Sequence, residues 1–271
     1  MSDTANEHQA AVAHKSVVEP LWTEPVFRAC RPATDVPAGV SILVAEARCG
    51  YVPMHLVPDL PEDTRVIALD PSRAMLDQAR QRVSDDLARR VFFVPQRVSG
   101  LSYADDVFRA SLCLNGVVTV RQARDAVAEL SRVTAAGGTV TLAAPVRDAF
   151  PEFYDMLDEA LRAHHLHDVL GRMHELRASF LTASRLATIA QETGLMEVSV
   201  QELGWDVEFK SGQDLLMSPL VRETYFPQWV GIVRSSEREP ILRYVADAID
   251  TYWHDRPFRC RVVAGCLSGL R

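Results

Sequence analysis

An α/β fold, with a doubly wound and mostly parallel sheet of seven strands, is predicted by three observations. Strand-like and helix-like segments alternate from residue 41 onward, the early strands are separated by crossover-length connections, and most strands are short apolar runs. That is the pattern of strands covered by helices on both faces.

The first run, SILVAE at 41–46, leads through the turn EARCGYV at 46–52 into a short helix. Pro53 suits its first turn and Pro58 limits its length. RVIALD at 65–70 is the second strand and ends in an acid. The helix over 71–83 opens at Pro71 and Ser72, with Met75, Leu76, Ala79 and Val83 at helical spacing. VFFV at 91–94 and FRASLCLNGV at 108–117 are the third and fourth strands. Residues 121–138 read as an amphipathic helix closed by Gly137 and Gly138, and TVTLAAPV at 139–146 as the fifth strand. Beyond Pro145 the pattern is helical through 148–178. A helix at 182–195, stopped by Gly194, precedes the sixth strand at MEVSVQEL, and FRCRVVAGCLSG near the end supplies the seventh. The expected organisation is an N-terminal helical segment at 1–37, an α/β core at 38–146, and residues 147–271 as helical insertions over the strand ends plus the last strands of the same sheet.

Bulk properties narrow the function. The net charge of −7 argues against a nucleic-acid partner. No apolar run approaches a membrane span, and the polar N-terminus lacks the apolar centre of a secretory signal, so a cytoplasmic protein is expected. Cys30, Cys49, Cys113, Cys260 and Cys266 show no CxxC pair and no metal-ligand spacing, and are expected to be buried reduced thiols. Lysine occurs only at Lys15 and Lys210, so an arginine carries meaning here only through its position.

The junction residues carry a resemblance. EARCGYV, VIALDPSRAMLDQAR and ELSRVTAAGGTVTL stand in the order and places of the cofactor-binding segments of class I S-adenosylmethionine-dependent methyltransferases, of the small-molecule and quinone-type branch. The resemblance covers residues 38–146 well and the remainder loosely. It implies a Rossmann-like methyltransferase fold. It also implies a cofactor site at Glu46, Arg48, Cys49, Gly50, Asp70, Met75 and Arg97, with Asp70 accepting from the ribose hydroxyls and Met75 near the adenine. Methyl transfer works mainly by holding donor and acceptor in line, so no catalytic residue is assigned.

The chain departs from the family at three places. Arg48 and Val52 replace glycines of the turn, Arg97 falls where an acid accepts from the adenine amino group, and Arg109 follows Phe108 where the family has an aspartate. S-adenosylmethionine is net positive, so a guanidinium in its cleft repels it unless turned outward or paired with a carboxylate. At ~4 Å that repulsion is about 4 kcal/mol at an effective dielectric of ~20. Arginine has donors and no acceptor, and leaves the amino group unpaired. The expectation is a degenerate member with impaired cofactor binding, acting as a binding or regulatory partner in an oligomer or complex. The alternative is an active methyltransferase on a small apolar or aromatic acceptor. An anionic nucleotide held by the arginines and Asp70 is a further option.

In the resembling enzymes an insertion near 148–178 forms a lid, which makes Tyr154, Glu159, His164 and His167 candidate lid residues and a histidine a candidate base. His164, His167 and Asp168 share a helical face, but the context matches no metal motif and no metal is expected. The stretch SPLVRETYFPQW at 218–229 reads as lid packing, an oligomer contact or core.

Overall fold

The computed structural model describes residues 2–30 and 36–271; the remaining part of the 1–37 segment lies outside the described residues. In chain order the strands are β1 (Ser41–Ala45), β2 (Arg65–Leu69), β3 (Val91–Val94), β4 (Phe108–Cys113), β5 (Thr134–Pro145), β6 (Met196–Phe209) and β7 (Phe258–Leu270). The helices are α1 (Ser2–Ala13), α2 (Glu24–Ala29), α3 (Tyr51–Leu56), α4 (Arg73–Arg80), α5 (Asp85–Ala88), α6 (Val120–Val133), α7 (Pro151–Ala163), α8 (His167–Ser179), α9 (Ala183–Glu192), α10 (Gly212–Met217), α11 (Pro219–Glu223), α12 (Phe226–Gly231) and α13 (Ser235–Tyr252). A π-wound stretch, His14–Thr23, joins α1 to α2.

The seven strands form one sheet in the order β3-β2-β1-β4-β5-β7-β6. β1 to β5 are parallel, and β7 runs antiparallel between β5 and β6. This is the doubly wound, mostly parallel sheet that the alternation predicts. Four of the five β1 residues are buried, and in β2 Val66, Ala68 and Leu69 are, so both strands read as continuous apolar runs. β1 lies between β2 and β4. The winding reverses beside it, and the turns beyond β1, β2 and β4 open a crevice at their carboxyl ends.

Three expectations need correction. Gly137 and Gly138 do not cap a helix. α6 ends at Val133 and the chain passes directly into β5, where the ladder with β4 jumps from Phe108↔Thr134 to Ala110↔Thr139. The glycines sit in that bulge, and a Cβ on Gly138 would lie 2.6 Å from the Arg109 carbonyl oxygen. A double glycine serves a bulge as well as a helix end, and sequence alone does not separate the two. The fourth strand is shorter than expected and stops at Cys113, freeing 114–119 to form one wall of the crevice. The cysteines are not all reduced: Cys30 and Cys266 form a disulfide with Cα atoms 5.9 Å apart, across 236 residues of sequence. Cys49, Cys113 and Cys260 are free and buried, and burial pushes the Cys49 thiol up to about 12.

The N-terminal segment is seated on the crevice side. Trp22 Nε1 donates to the Leu114 carbonyl at 2.9 Å, and Thr23 Oγ1 to Asn115 Oδ1 at 2.8 Å. Arg82 reaches from beyond α4 to Glu19 and, at 3.0 Å, to the Cys49 carbonyl.

Candidate functional site

The turn after β1 keeps a glycine-type backbone with few glycines in it. Glu46 and Arg48 adopt φ of 50° and 51°, and Gly50 adopts 83° at the start of α3. A side chain in the left-handed region costs roughly 1–2 kcal/mol per residue. The cost is borne where Arg48 is fixed from several sides.

Asp70, at the end of β2, is fully buried. Its Oδ1 accepts from the Ser72 amide at 2.8 Å and its Oδ2 from the Arg48 amide at 3.0 Å. The Arg48 guanidinium folds back over the same carboxylate, with Nη1 3.9 Å from Asp70 Oδ2 and Nη2 4.0 Å from Glu46 Oε2. Burial works against the Arg48 charge, but Asp70 and Glu46, with Glu223 beyond them, outweigh it and hold the guanidinium above its ordinary range. Burial, opposed by Arg48 and reinforced by Asp70, keeps the Glu46 carboxyl above the usual carboxylate range.

This shift predicts a pH dependence. Glu46 of the unfolded chain ionises at the ordinary carboxyl value and the folded protein ionises later, so stability falls as pH rises through that interval. Denaturant titrations across the acidic range are expected to show wild type losing stability relative to Glu46→Gln. A constant difference between the two proteins would show that Glu46 is not perturbed.

Beside Arg48 lies a cavity of about 510 Å³. One wall is Glu46, Arg48 and Pro71, a second is Arg97 to Ser99, a third is Gly116 to Val118 with Gln122 and Asp125 of α6, and the outer one is Glu223, Thr224, Pro227 and Gln228. A Cβ on Gly116 would stand 2.9 Å from Glu46 Oε2 and 3.0 Å from Arg48 Nη2, so the backbone there lies directly against the charged pair. Glu223 is held from behind by His14, whose Nδ1 lies 2.9 Å from Glu223 Oε2. His14 is 1% exposed.

Of the cofactor-type positions read from sequence, Glu46, Arg48 and Arg97 border this cavity. Asp70 lies behind Arg48 and off the wall. Cys49 and Met75 pack together under α1, with the Cys49 thiol donating to the Ala11 carbonyl at 3.3 Å and 3.5 Å from Met75 Sδ. Gly50 abuts Ala79 of α4.

The four lid candidates do not border the cavity. Tyr154 is buried and accepts from Trp229 Nε1 at 2.8 Å. Glu159 accepts from the Tyr244 and Tyr252 hydroxyls, each at 2.9 Å, and His164 sits edge-on to Tyr244. His164 and His167 are exposed. The outer wall comes instead from the insertion between β6 and β7, where 218–229 splits its roles. Glu223, Thr224, Pro227 and Gln228 face the cavity, while Tyr225 and Trp229 enter the core. His14 had no sequence signal, since its partner is 209 residues away. Among the described residues no group of three or more His, Cys, Asp or Glu side chains is placed to hold a metal ion. No described helix is long and apolar enough to cross a membrane.

Residues 47–138 match the family described as a methyltransferase domain. The chain is also 28% identical over 147 residues to a demethylmenaquinone methyltransferase of Halalkalibacterium halodurans, a match covering 50% of this chain and 59% of that one. Over this segment the chain is similar to class I methyltransferases. It spans about six-tenths of the length of this curated relative. Solved structures share the class I methyltransferase fold. The YcgJ protein of Bacillus subtilis superposes with a TM-score of 0.54 at 15% identity, covering 92% of this chain and 98% of that one. A phosphoethanolamine N-methyltransferase of Haemonchus contortus, solved with S-adenosyl-L-methionine, gives 0.52 at 13% identity, covering 92% and 52%.

Proposed function

We propose that this chain is a methyltransferase-family protein whose cofactor site is filled by its own Arg48, and that it acts as a binding or regulatory partner without methyl transfer. The observation that carries the reading is the Arg48 guanidinium seated over a fully buried Asp70. The family's ribose-binding carboxylate is to this extent already satisfied, by two backbone amides and a cation. A second observation points the same way. Arg97 borders the cavity where the family has an acceptor for the adenine amino group. S-adenosylmethionine does not fit these residues without displacing Arg48.

The cavity remains large enough for a small molecule, within the ~300–1,000 Å³ typical of ligand sites. What it holds is then a ligand compatible with Arg48 in place. Calorimetric titration of the unmodified protein with S-adenosylmethionine and S-adenosylhomocysteine tests the reading. No heat of binding and no thermal shift are expected. A ligand present at ~100 times its dissociation constant adds about 2.7 kcal/mol of stability, so a clear shift overturns the reading. It would leave an active methyltransferase on a small apolar or aromatic acceptor.

A further inference from the structure

Two buried polar atoms near Arg48 have no hydrogen-bond partner among the described residues: His14 Nε2 and Arg48 Nε. Both side chains line a second, inner pocket of about 30 Å³. It shares Arg48, Gly116, Glu223 and Thr224 with the larger cavity, so the two adjoin. Asn115 and several apolar side chains complete it, among them Val18, Trp22 and Leu220. Its volume suits a single water-sized group, since a cavity of about 10–15 Å³ holds one.

The chemistry of the two orphaned atoms specifies that group. The carboxylate of Glu223 faces His14 Nδ1 at 2.9 Å, so Nδ1 carries the proton that Glu223 accepts. In the neutral ring, Nε2 is then an acceptor. Arg48 Nε carries a hydrogen and is a donor only. A hydroxyl satisfies both, because it donates once and accepts as well. A carboxylate in the same place has no hydrogen to give His14 Nε2 and would face Glu223, while an ammonium has no lone pair to accept from Arg48 Nε. Charged heads of either sign are therefore disfavoured.

We propose that the inner pocket is a hydroxyl-recognition site. A small ligand lies in the larger cavity and sends one neutral hydroxyl inward, where it accepts from Arg48 Nε and donates to His14 Nε2. This rests on the reading that Arg48 stays in the cavity, and it adds the class of ligand: a neutral alcohol or phenol.

The test uses four probes of one size that differ in the head group: benzyl alcohol, benzoate, benzylammonium and toluene. They are titrated into 15N-labelled full-length protein while the imidazole nitrogens are followed by NMR. Benzyl alcohol is expected to move the His14 Nε2 resonance saturably and to bind about tenfold tighter than each of the others, the worth of one good hydrogen bond. His14→Phe is expected to erase the preference of alcohol over toluene. The inference is overturned if no probe binds, if another head group binds as well as the alcohol, or if His14 does not respond, and the wild-type measurement stands even if the variant misfolds. S-adenosylmethionine binding to the unmodified protein is scored separately. It overturns the proposed function without deciding the alcohol arm.

Discussion

Replacing Arg48 by glycine, together with Arg97→Asp, is expected to raise the affinity for S-adenosylmethionine far above that of the unmodified protein. The single change Arg48→Gly carries most of the effect. It removes a like charge whose repulsion of the cofactor at ~4 Å is about 4 kcal/mol, roughly a thousandfold in affinity. It also frees the side of Asp70 that the guanidinium covers, 3.9 Å from Oδ2. Arg97→Asp supplies the missing acceptor and contributes about 1–3 kcal/mol more. Glycine is already suited to the backbone, since Arg48 holds a φ of 51°. Relief of that strain offsets part of what Asp70 loses when its cation goes. Removing one partner of a buried pair costs about 3–5 kcal/mol when the pair is tight. This pair is longer than a hydrogen bond, and Asp70 keeps its amide from Ser72, so a net loss of about 1–3 kcal/mol is expected. Calorimetry on the folded double variant decides. If it binds neither S-adenosylmethionine nor S-adenosylhomocysteine, Arg48 and Arg97 do not govern access of the cofactor.

Much of the sheet was legible because its chemistry is local. β1 and β2 are buried runs bounded by turn residues, and the start of α4 is written in Ser72, whose side chain accepts from the Met75 amide. The Glu46–Gly50 turn is local in the same way, and its Glu46 and Arg48 border the cavity. What was not legible depends on which distant segments meet. Tyr154 and Trp229 are far apart in sequence yet share a hydrogen bond, and nothing near Tyr154 says that its hydroxyl is already used. Either insertion, the one after β5 or the one after β6, has the composition to cover the crevice. Packing sends the residues at 223–228 there and keeps those at 154–167 away from it. The direction of Arg48 was equally hidden, because an arginine can snorkel outward or turn onto a carboxylate with the same local sequence.

The wall formed by 223–228 has an anchor, and removing it is expected to give a large loss of stability. Trp229 is 2% exposed and stacks on Phe153 with ring centres 3.9 Å apart, while its Nε1 donates to the Tyr154 hydroxyl. Phe150 and Tyr225 lie around it, and Tyr225 itself stacks on Phe180 at 4.1 Å. Trp229→Ala therefore empties a tightly filled volume and is expected to cost about 3–5 kcal/mol. Trp229→Phe keeps the stack but orphans the buried Tyr154 hydroxyl, and is expected to cost about 1–3 kcal/mol. Burial, eased by the Trp229 hydrogen bond and by Arg177, already pushes the Tyr154 hydroxyl well above its ordinary pKa, so Tyr154 stays a neutral donor or acceptor across the physiological range. Urea denaturation of the two variants measures both costs. Loss of the anchor also reaches the site. Glu223, six residues before Trp229, loses its fixed place opposite His14, and amide exchange along the His14–Thr23 stretch is expected to quicken in the alanine variant more than in the phenylalanine one. If both substitutions cost less than about 1 kcal/mol, the aromatic cluster does not hold this wall in place.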